Sequence, residues 1–268
     1  MNAEEKRAHF HTFGFVVWRQ AFTSGEMQAI TREFDDLMTE LREGQPFTGE
    51  QGENRAPFVE LRPALSQLAV DDRIHSTVQE LLGPGFLWAS SEGNITVGDH
   101  GWHPDRPGDE EEISFLRLKA MIYLDETTRD AGALRVIPGS HRVPLHEEIE
   151  AKNRHQRGPT LEPFGIPGAD VPCFAYESQP GDVLFFNQSL WHGVFHGWVG
   201  RRYIALKYAA MPETDKQISS LHYYFRGRIF QPLESFAQSD DPRIRHMVDP
   251  LPELGRKEVP DFIPFRDT

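Results

Sequence analysis

The sequence predicts a mainly β protein, a sandwich or jelly roll with helices packed on one flank. Three observations carry this. Short apolar runs of strand-like composition recur between residues 86 and 209. Turns bearing Gly and Pro separate them. Ahead of residue 86, two segments instead repeat their apolar residues at helical spacing. Many short strands with such turns build sheets that stack or close on themselves.

In order along the chain, Phe13-Gly14-Phe15-Val16-Val17-Trp18 reads as the first strand. Thr23-Ser24-Gly25-Glu26 has capping-box form, with a hydroxyl at the cap and a carboxylate three residues on. Met27, Ile30, Phe34, Leu37, Met38 and Leu41 then recur on one helical face, and Gly44 and Pro46 end that helix. A second helix starts at Asp72, carries Ile74, Val78, Leu81 and Leu82 on one face, and stops at Gly83-Pro84-Gly85. Strands are expected at 86–89, 94–97, 115–124, 134–137, 183–186 and 203–209. The turns between them include Asp130-Ala131-Gly132, Pro138-Gly139-Ser140 and Pro180-Gly181-Asp182. Residues 144–172 form a long polar insertion with a helix expected at 147–153, and insertions of this length are usually lids or binding loops. Residues 240–268, rich in Pro and charge, are expected to wrap the surface. With no internal repeat and no linker, residues 1–268 are expected to form one domain.

Composition narrows the function classes. At 38% hydrophobic and 26% charged, the 268-residue chain suits a soluble globular protein able to bury a core. A formal net charge of -13 argues against a general nucleic-acid binder, which needs clustered Lys and Arg. Cys173 stands alone, so no internal disulfide forms, and it is read as a small core residue in a reducing compartment. Residues 1–11 are charged, without the apolar run of a signal peptide. Nothing approaches the roughly 20 apolar residues of a membrane span. The expected location is the cytoplasm, without membrane attachment.

The chemistry concentrates at Trp102-His103-Pro104-Asp105. In a strand, residues i and i+2 face the same way, so His103 and Asp105 can point into one mouth. Two His and one carboxylate on one face of a metal, with the remaining positions open, is the facial triad of non-haem Fe(II) oxygenases. The third ligand must come from a distant strand. His192, in Leu190-Trp191-His192-Gly193, qualifies, and His196 is its rival. His100 and His141 sit in or after turns, and the remaining histidines have no partner at useful spacing. An exposed turn pair is the plainer account of an H-x-D tripeptide on its own. Arg201 and Arg202 open the next strand. A guanidinium grips a carboxylate through two parallel hydrogen bonds, as a dicarboxylic co-substrate would require. By alternation only one of the two points inward, and surface ion pairs of small worth are the blander account.

These residues resemble the phytanoyl-CoA dioxygenase family of Fe(II)/2-oxoglutarate oxygenases. The resemblance covers about residues 10–210. It rests on Phe13-Gly14-Phe15-Val16-Val17, Trp102-His103-Pro104-Asp105, Ile122-Tyr123-Leu124-Asp125, the segment from Gly132 through Ile137-Pro138-Gly139-Ser140-His141, Pro180-Gly181-Asp182-Val183-Leu184-Phe185-Phe186, His192-Gly193 and Arg201-Arg202, in family order. It implies a cupin-like double-stranded β-helix, with Fe(II) held by His103, Asp105 and His192. It implies 2-oxoglutarate on the metal with an arginine on its distal carboxylate, and O2 as the other co-substrate. Counting back from Tyr208, Arg201 fits the family position better. The interval from His192 is shorter than usual, however, and both arginines stay open. Lys119 is a second candidate contact to the co-substrate, against a solvated strand charge. Halogenating relatives leave the carboxylate position empty for chloride, so Asp105 argues for hydroxylation, with release of succinate and CO2.

The sequence gives the substrate only as a small molecule. Residues 47–62, the 144–172 insertion and residues 223–228 are expected at the mouth. Arg55, Phe58 and Arg62 mix cationic and aromatic character, which suits an anionic or amphiphilic substrate. The acidic run 108–112 reads as a solvated face. Two other readings are a cupin-like metal isomerase or lyase without 2-oxoglutarate, and a non-catalytic β-sandwich binding module.

Overall fold

The computed structural model describes residues 1–153 and 165–262. Ten strands are present among them: β1 (Phe15–Trp18), β2 (Glu53–Arg55), β3 (Phe86–Thr96), β4 (His100–His103), β5 (Arg117–Tyr123), β6 (Leu134–Val136), β7 (Phe174–Tyr176), β8 (Val183–Asn187), β9 (His192–Val194) and β10 (Arg201–Ala210). They form a six-stranded sheet in the order β1-β8-β5-β10-β3-β2 and a four-stranded sheet in the order β4-β9-β6-β7. Neighbours in both sheets pair antiparallel. This is the jelly-roll arrangement expected from the strand pattern. The runs at 86–89 and 94–97 prove to be two ends of one strand, β3.

The helices are α1 (Ala3–Phe13), α2 (Ser24–Leu41), α3 (Pro63–Ser66), α4 (Asp72–Leu82), α5 (Glu110–Ser114), α6 (Leu145–Asn153), α7 (Asp215–Phe225), α8 (Glu234–Ala237), α9 (Pro242–Val248) and α10 (Leu251–Leu254). The Thr23/Glu26 capping box forms as read, and α2 buries Met27, Phe34, Leu37 and Met38. Helix α4 buries Ile74, Val78 and Leu81. Helix α1 is an addition to the sequence reading. It is capped by a reciprocal Asn2/Glu5 box but buries only Phe10, so no apolar periodicity announces it. Among the described residues, no helix is long and apolar enough to cross a membrane.

Alternation along the strands of the large sheet separates two environments. Leu118, Ala120 and Ile122 of β5, with Ile204, Leu206 and Tyr208 of β10, join the helices in the main core. Each such buried leucine or isoleucine contributes about 1.5–3 kcal/mol. Met121, Tyr123 and Ala205 point the other way, into a second cluster between the sheets with Leu134, Val136 and Leu184. The interior of the jelly roll is therefore narrow, and its polar residues come from the same alternating positions.

Two outer segments differ from expectation. Residues of the 240–268 tail enter the core instead of wrapping it: Ile244, Met247, Val248, Leu251 and Leu254 are buried there. The described ends of the 144–172 insertion anchor beside β4, where Ile149 and Val171 pack with Trp102 and Trp191. Trp102 Nε1 donates to the Gly168 carbonyl at 2.8 Å. Residues 154–164 of that insertion, with His155, lie outside the described residues.

The acidic run is not wholly a solvated face. Glu112 turns inward to Arg117 at 2.5 Å, and the two side chains are only 2% and 1% exposed. Ser220 of α7 donates to Glu112 Oε1 at 2.7 Å and accepts from Arg117 Nη1 at 2.5 Å. This triad ties α5 and α7 to the start of β5. Removing one member of a buried pair strands the other charge. Arg117→Met is expected to lower stability by about 3–5 kcal/mol, read from the denaturant midpoint, and an unchanged midpoint would show that the triad contributes nothing.

Candidate metal centre

Strands β4 and β9 pair so that His103 stands opposite His192. Their ring centroids are 4.4 Å apart. Asp105 lies two residues beyond, where the chain leaves β4. One ligand atom from each of His103, Asp105 and His192 lies within 4.8 Å of the others, a grouping that can hold a metal ion. His103 Nδ1 is 2.7 Å from the Gly101 carbonyl, and His192 Nδ1 is 2.8 Å from the Leu190 carbonyl. A carbonyl oxygen only accepts, so both Nδ1 atoms carry protons and both Nε2 lone pairs face the shared space. Phe186 meets the His192 ring edge-on at 5.0 Å and fixes its tilt. Burial foremost, then His103, pushes the His192 imidazole down to about 3, so it is neutral as a ligand must be.

Asp105 is divided between two tasks. Its Oδ1 is 3.9 Å from His192 Nε2, and its Oδ2 is 2.6 Å from Lys119 Nζ. Burial works to raise this carboxyl, but Lys119, His192 and His103 outweigh it and hold the group well below the usual carboxylate range. Lys119 also lies over Phe186, 5.6 Å from the ring centroid. Beside it in register stands Lys207, which forms an ion pair with Glu92. Burial tends to raise Glu92, but Lys207 and Lys119 keep it low. Asp105, Lys119, Glu92 and Lys207 are thus paired, which is the condition for burying them.

A cavity of 460 Å³ opens over these groups, with Tyr123, Tyr203 and Arg201 among its walls. Arg201 is 1% exposed. Its Nε donates to Thr96 Oγ1 at 3.1 Å, its Nη1 donates to the Gly132 carbonyl, and its guanidinium lies 6.0 Å from the Tyr123 ring centroid. Among the described residues no carboxylate lies within ion-pair distance of it. Gly132 has φ +72°, and a Cβ there would sit 2.7 Å from Arg201 Nη1, so both conformation and space require glycine. Arg202 points the opposite way and is spent on Asp125 and Asp35, each at 2.7 Å. The structure thus places Arg201, and not Arg202, in the cavity.

The other expected residues scatter. Phe58 is fully buried in the main core, its ring tilted against Phe34 with centroids 5.1 Å apart. Its ring occupies the space a Cβ on Gly93 would need, 2.5 Å away, so it is a packing residue and no wall of the cavity. Arg62 pairs with Glu40 on α2. Arg55 lies on β2 next to Asn54, which does line the cavity, but is not itself part of the lining. His196 is exposed at φ +57°, outside the metal grouping. His141 hydrogen-bonds the His11 carbonyl at 3.2 Å. His100 opens β4, paired with Val194, and is not a turn residue. The sequence reading missed Glu92, Tyr203 and Lys207. The signal for the last two was present: they share the period of two with Arg201 along β10.

A sequence model of the family described as Phytanoyl-CoA dioxygenase (PhyH) matches residues 10–195. Among curated proteins the chain is similar to an ectoine dioxygenase of Sphingopyxis alaskensis, 26% identical over 208 residues that cover 69% of this chain and 68% of that protein. An ectoine dioxygenase of Halomonas elongata is 26% identical over 212 residues, covering 69% of this chain and 62% of that one. Among solved structures, HygX from Streptomyces hygroscopicus with nickel and 2-oxoglutarate bound aligns with TM-score 0.61 and 22% identity, covering 77% of this chain and 86% of its own. EctD from S. alaskensis with bound Fe aligns with TM-score 0.57 and 22% identity, covering 78% and 77%. These structural likenesses concern the fold.

Replacing a first ligand should weaken metal binding by more than the 10–100-fold typical of groups one layer out. Fe(II) titrated anaerobically into His103→Ala or His192→Ala is therefore expected to bind over ~100-fold more weakly than to the parent protein. Unchanged affinity in either would remove that histidine from the metal set.

Proposed function

The chain belongs to the phytanoyl-CoA dioxygenase family and is a non-haem iron, 2-oxoglutarate-dependent oxygenase; from that premise we propose that it hydroxylates a C–H bond of a small molecule. The observation that carries the proposal is the complete set in one cavity: two histidines and Asp105 on one side, an uncompensated buried guanidinium on the other. When bound, the iron, 2-oxoglutarate and O2 together supply an oxidant able to replace C–H by C–OH, with succinate and CO2 as the other products.

The protein's own residues prepare that chemistry. His103 and His192 can turn Nε2 to the metal because backbone carbonyls hold the opposite nitrogens. Lys119 takes one oxygen of Asp105, leaving Oδ1, on the histidine side, as the metal ligand. We thus assign Lys119 to positioning Asp105, not to the co-substrate. Arg201 is oriented by Thr96, Gly132 and Tyr123, and it would receive the distal carboxylate of 2-oxoglutarate. A ligand at each end fixes the co-substrate's orientation, turning an encounter into a positioned reaction. A carboxylate at position 105 fills the place that a halide would need, which favours oxygen insertion. The small-molecule reading has support from relatives that are named for ectoine, and from a structural neighbour determined with hygromycin B bound.

The central test is succinate formation from 2-oxoglutarate with Fe(II) and O2, together with a product heavier by one oxygen atom. Asp105→Ala should abolish turnover, and undiminished succinate would sink the assignment. A charge-assisted pair is worth about 1.5–3 kcal/mol, so Arg201→Gln should raise the KM for 2-oxoglutarate ~10–100-fold. Arg202→Gln should leave that KM within about 2-fold, because its partners lie outside the cavity. The reverse pattern would exchange the two arginines.

A further inference from the structure

A second cavity, of 700 Å³, lies against the metal cavity and shares Asn54, Glu92 and Lys207 with it. Its size is that of a small-molecule site. Its walls also carry Arg106, Arg226, Arg228 and Glu60. The balance of charge there is uneven once internal pairing is counted. Glu60 is saturated: it accepts from Trp88 Nε1 at 2.9 Å, from the Phe58 amide at 3.1 Å and from Ser91 Oγ. Glu92 is taken by Lys207. The three arginines have no such use. Among the described residues, no carboxylate lies within ion-pair distance of any of them.

Arg106 is the deepest of the three. It is held by stacking on Tyr224 at 4.4 Å and Phe225 at 4.9 Å, not by a counter-charge. Its Nη1 donates to the Asp105 carbonyl at 2.9 Å, while its Nε is shut off from solvent with no hydrogen-bond partner. A half-buried guanidinium with one donor shut off from water and idle calls for an anion. Arg226 and Arg228 stand exposed in the same cavity, where they would draw that anion in. Arg106 directly follows Asp105 in the chain, and its cavity adjoins the metal cavity at Asn54, Glu92 and Lys207, so an anion held there lies next door to the metal grouping.

We propose that the second cavity is the substrate's anchoring site, and that it selects a molecule bearing a carboxylate, which Arg106 binds while the rest of the molecule passes Glu92 and Lys207 toward the metal cavity. The inference rests on the hydroxylase reading for its purpose, but not for its test. The probes are hexanoate and its neutral isostere hexanamide. Each is titrated calorimetrically into protein loaded anaerobically with Fe(II) and 2-oxoglutarate. Hexanoate should bind at least ~10-fold more tightly, the worth of one charge-assisted contact. That preference should fall below about 3-fold in Arg106→Gln and shrink in Arg228→Gln. Because Arg106 also touches the backbone of Asp105, Arg228→Gln is the variant that keeps the test independent of the metal site. Equal binding of the two probes, no binding of hexanoate, or a preference retained in both variants would overturn the proposal. Succinate production without the hexanoate preference would remove the anchor and leave the hydroxylase. The preference without succinate production would do the reverse.

Discussion

In the small sheet His103 stands directly opposite His192, and that antiparallel pairing is the contact on which the centre of the molecule depends. It brings together residues separated by most of the jelly roll's length. Register in a sheet has a period of two, so a slip of one residue would turn a histidine to the other face and dissolve the site. The carbonyls of Gly101 and Leu190, each two residues before its histidine, set the rings the same way on both strands. The backbone thus fixes both position and tautomer. Asp105 then needs only the two-residue continuation of β4 to close the set.

Placing that set between two sheets creates an electrostatic problem. Asp105 would be neutralised by burial if it stood alone. Lys119 solves this from the large sheet, and Lys207 with Glu92 continues the pattern along the same face. The inner face of the large sheet consequently carries paired charges beside an apolar cluster, while its outer face is apolar and covered by helices. On the walls of the two cavities, Arg201 and Arg106 have no carboxylate within ion-pair distance among the described residues. Each is oriented by neutral neighbours and lacks a counter-ion. Unpaired buried guanidinium groups are expensive to maintain, and both sit on cavity walls, where an anionic ligand relieves the expense.

Much of this was legible in the residues. The capping box at Thr23, the apolar faces of α2 and α4, the strand runs and the insertion helix are local features, and the chain forms them close to where its periodicity placed them. His103, Asp105 and His192 were legible because a two-residue alternation and a histidine after a strand are readable without knowing the fold. Phe58 was misread as a substrate contact because an aromatic between two arginines looks exposed in one dimension. Only the packing of its ring over Gly93 shows it to be core. Glu112 looked solvated because it sits among acidic neighbours, and its partners Arg117 and Ser220 are distant in sequence. The tail looked like a surface wrap because its apolar residues are spaced among Pro and charge, yet α9 and α10 carry five of them into the core.

By itself, the sequence determined the mixture of strands and helices, the ligand types and the pair of arginines, since each of these is set by residue type and short-range spacing. It left the choice between the two arginines open, with Arg201 favoured by the family resemblance alone. The tertiary structure separated them: Asp35 and Asp125 claim Arg202 on the outer side, and Gly132 and Thr96 draw Arg201 inward. It also decided Lys119's partner and assembled the second cavity from residues 54 to 233. Such choices depend on which charges meet across strands far apart in the chain. Local propensity carries no information about such meetings, because they exist only once the sheets have closed.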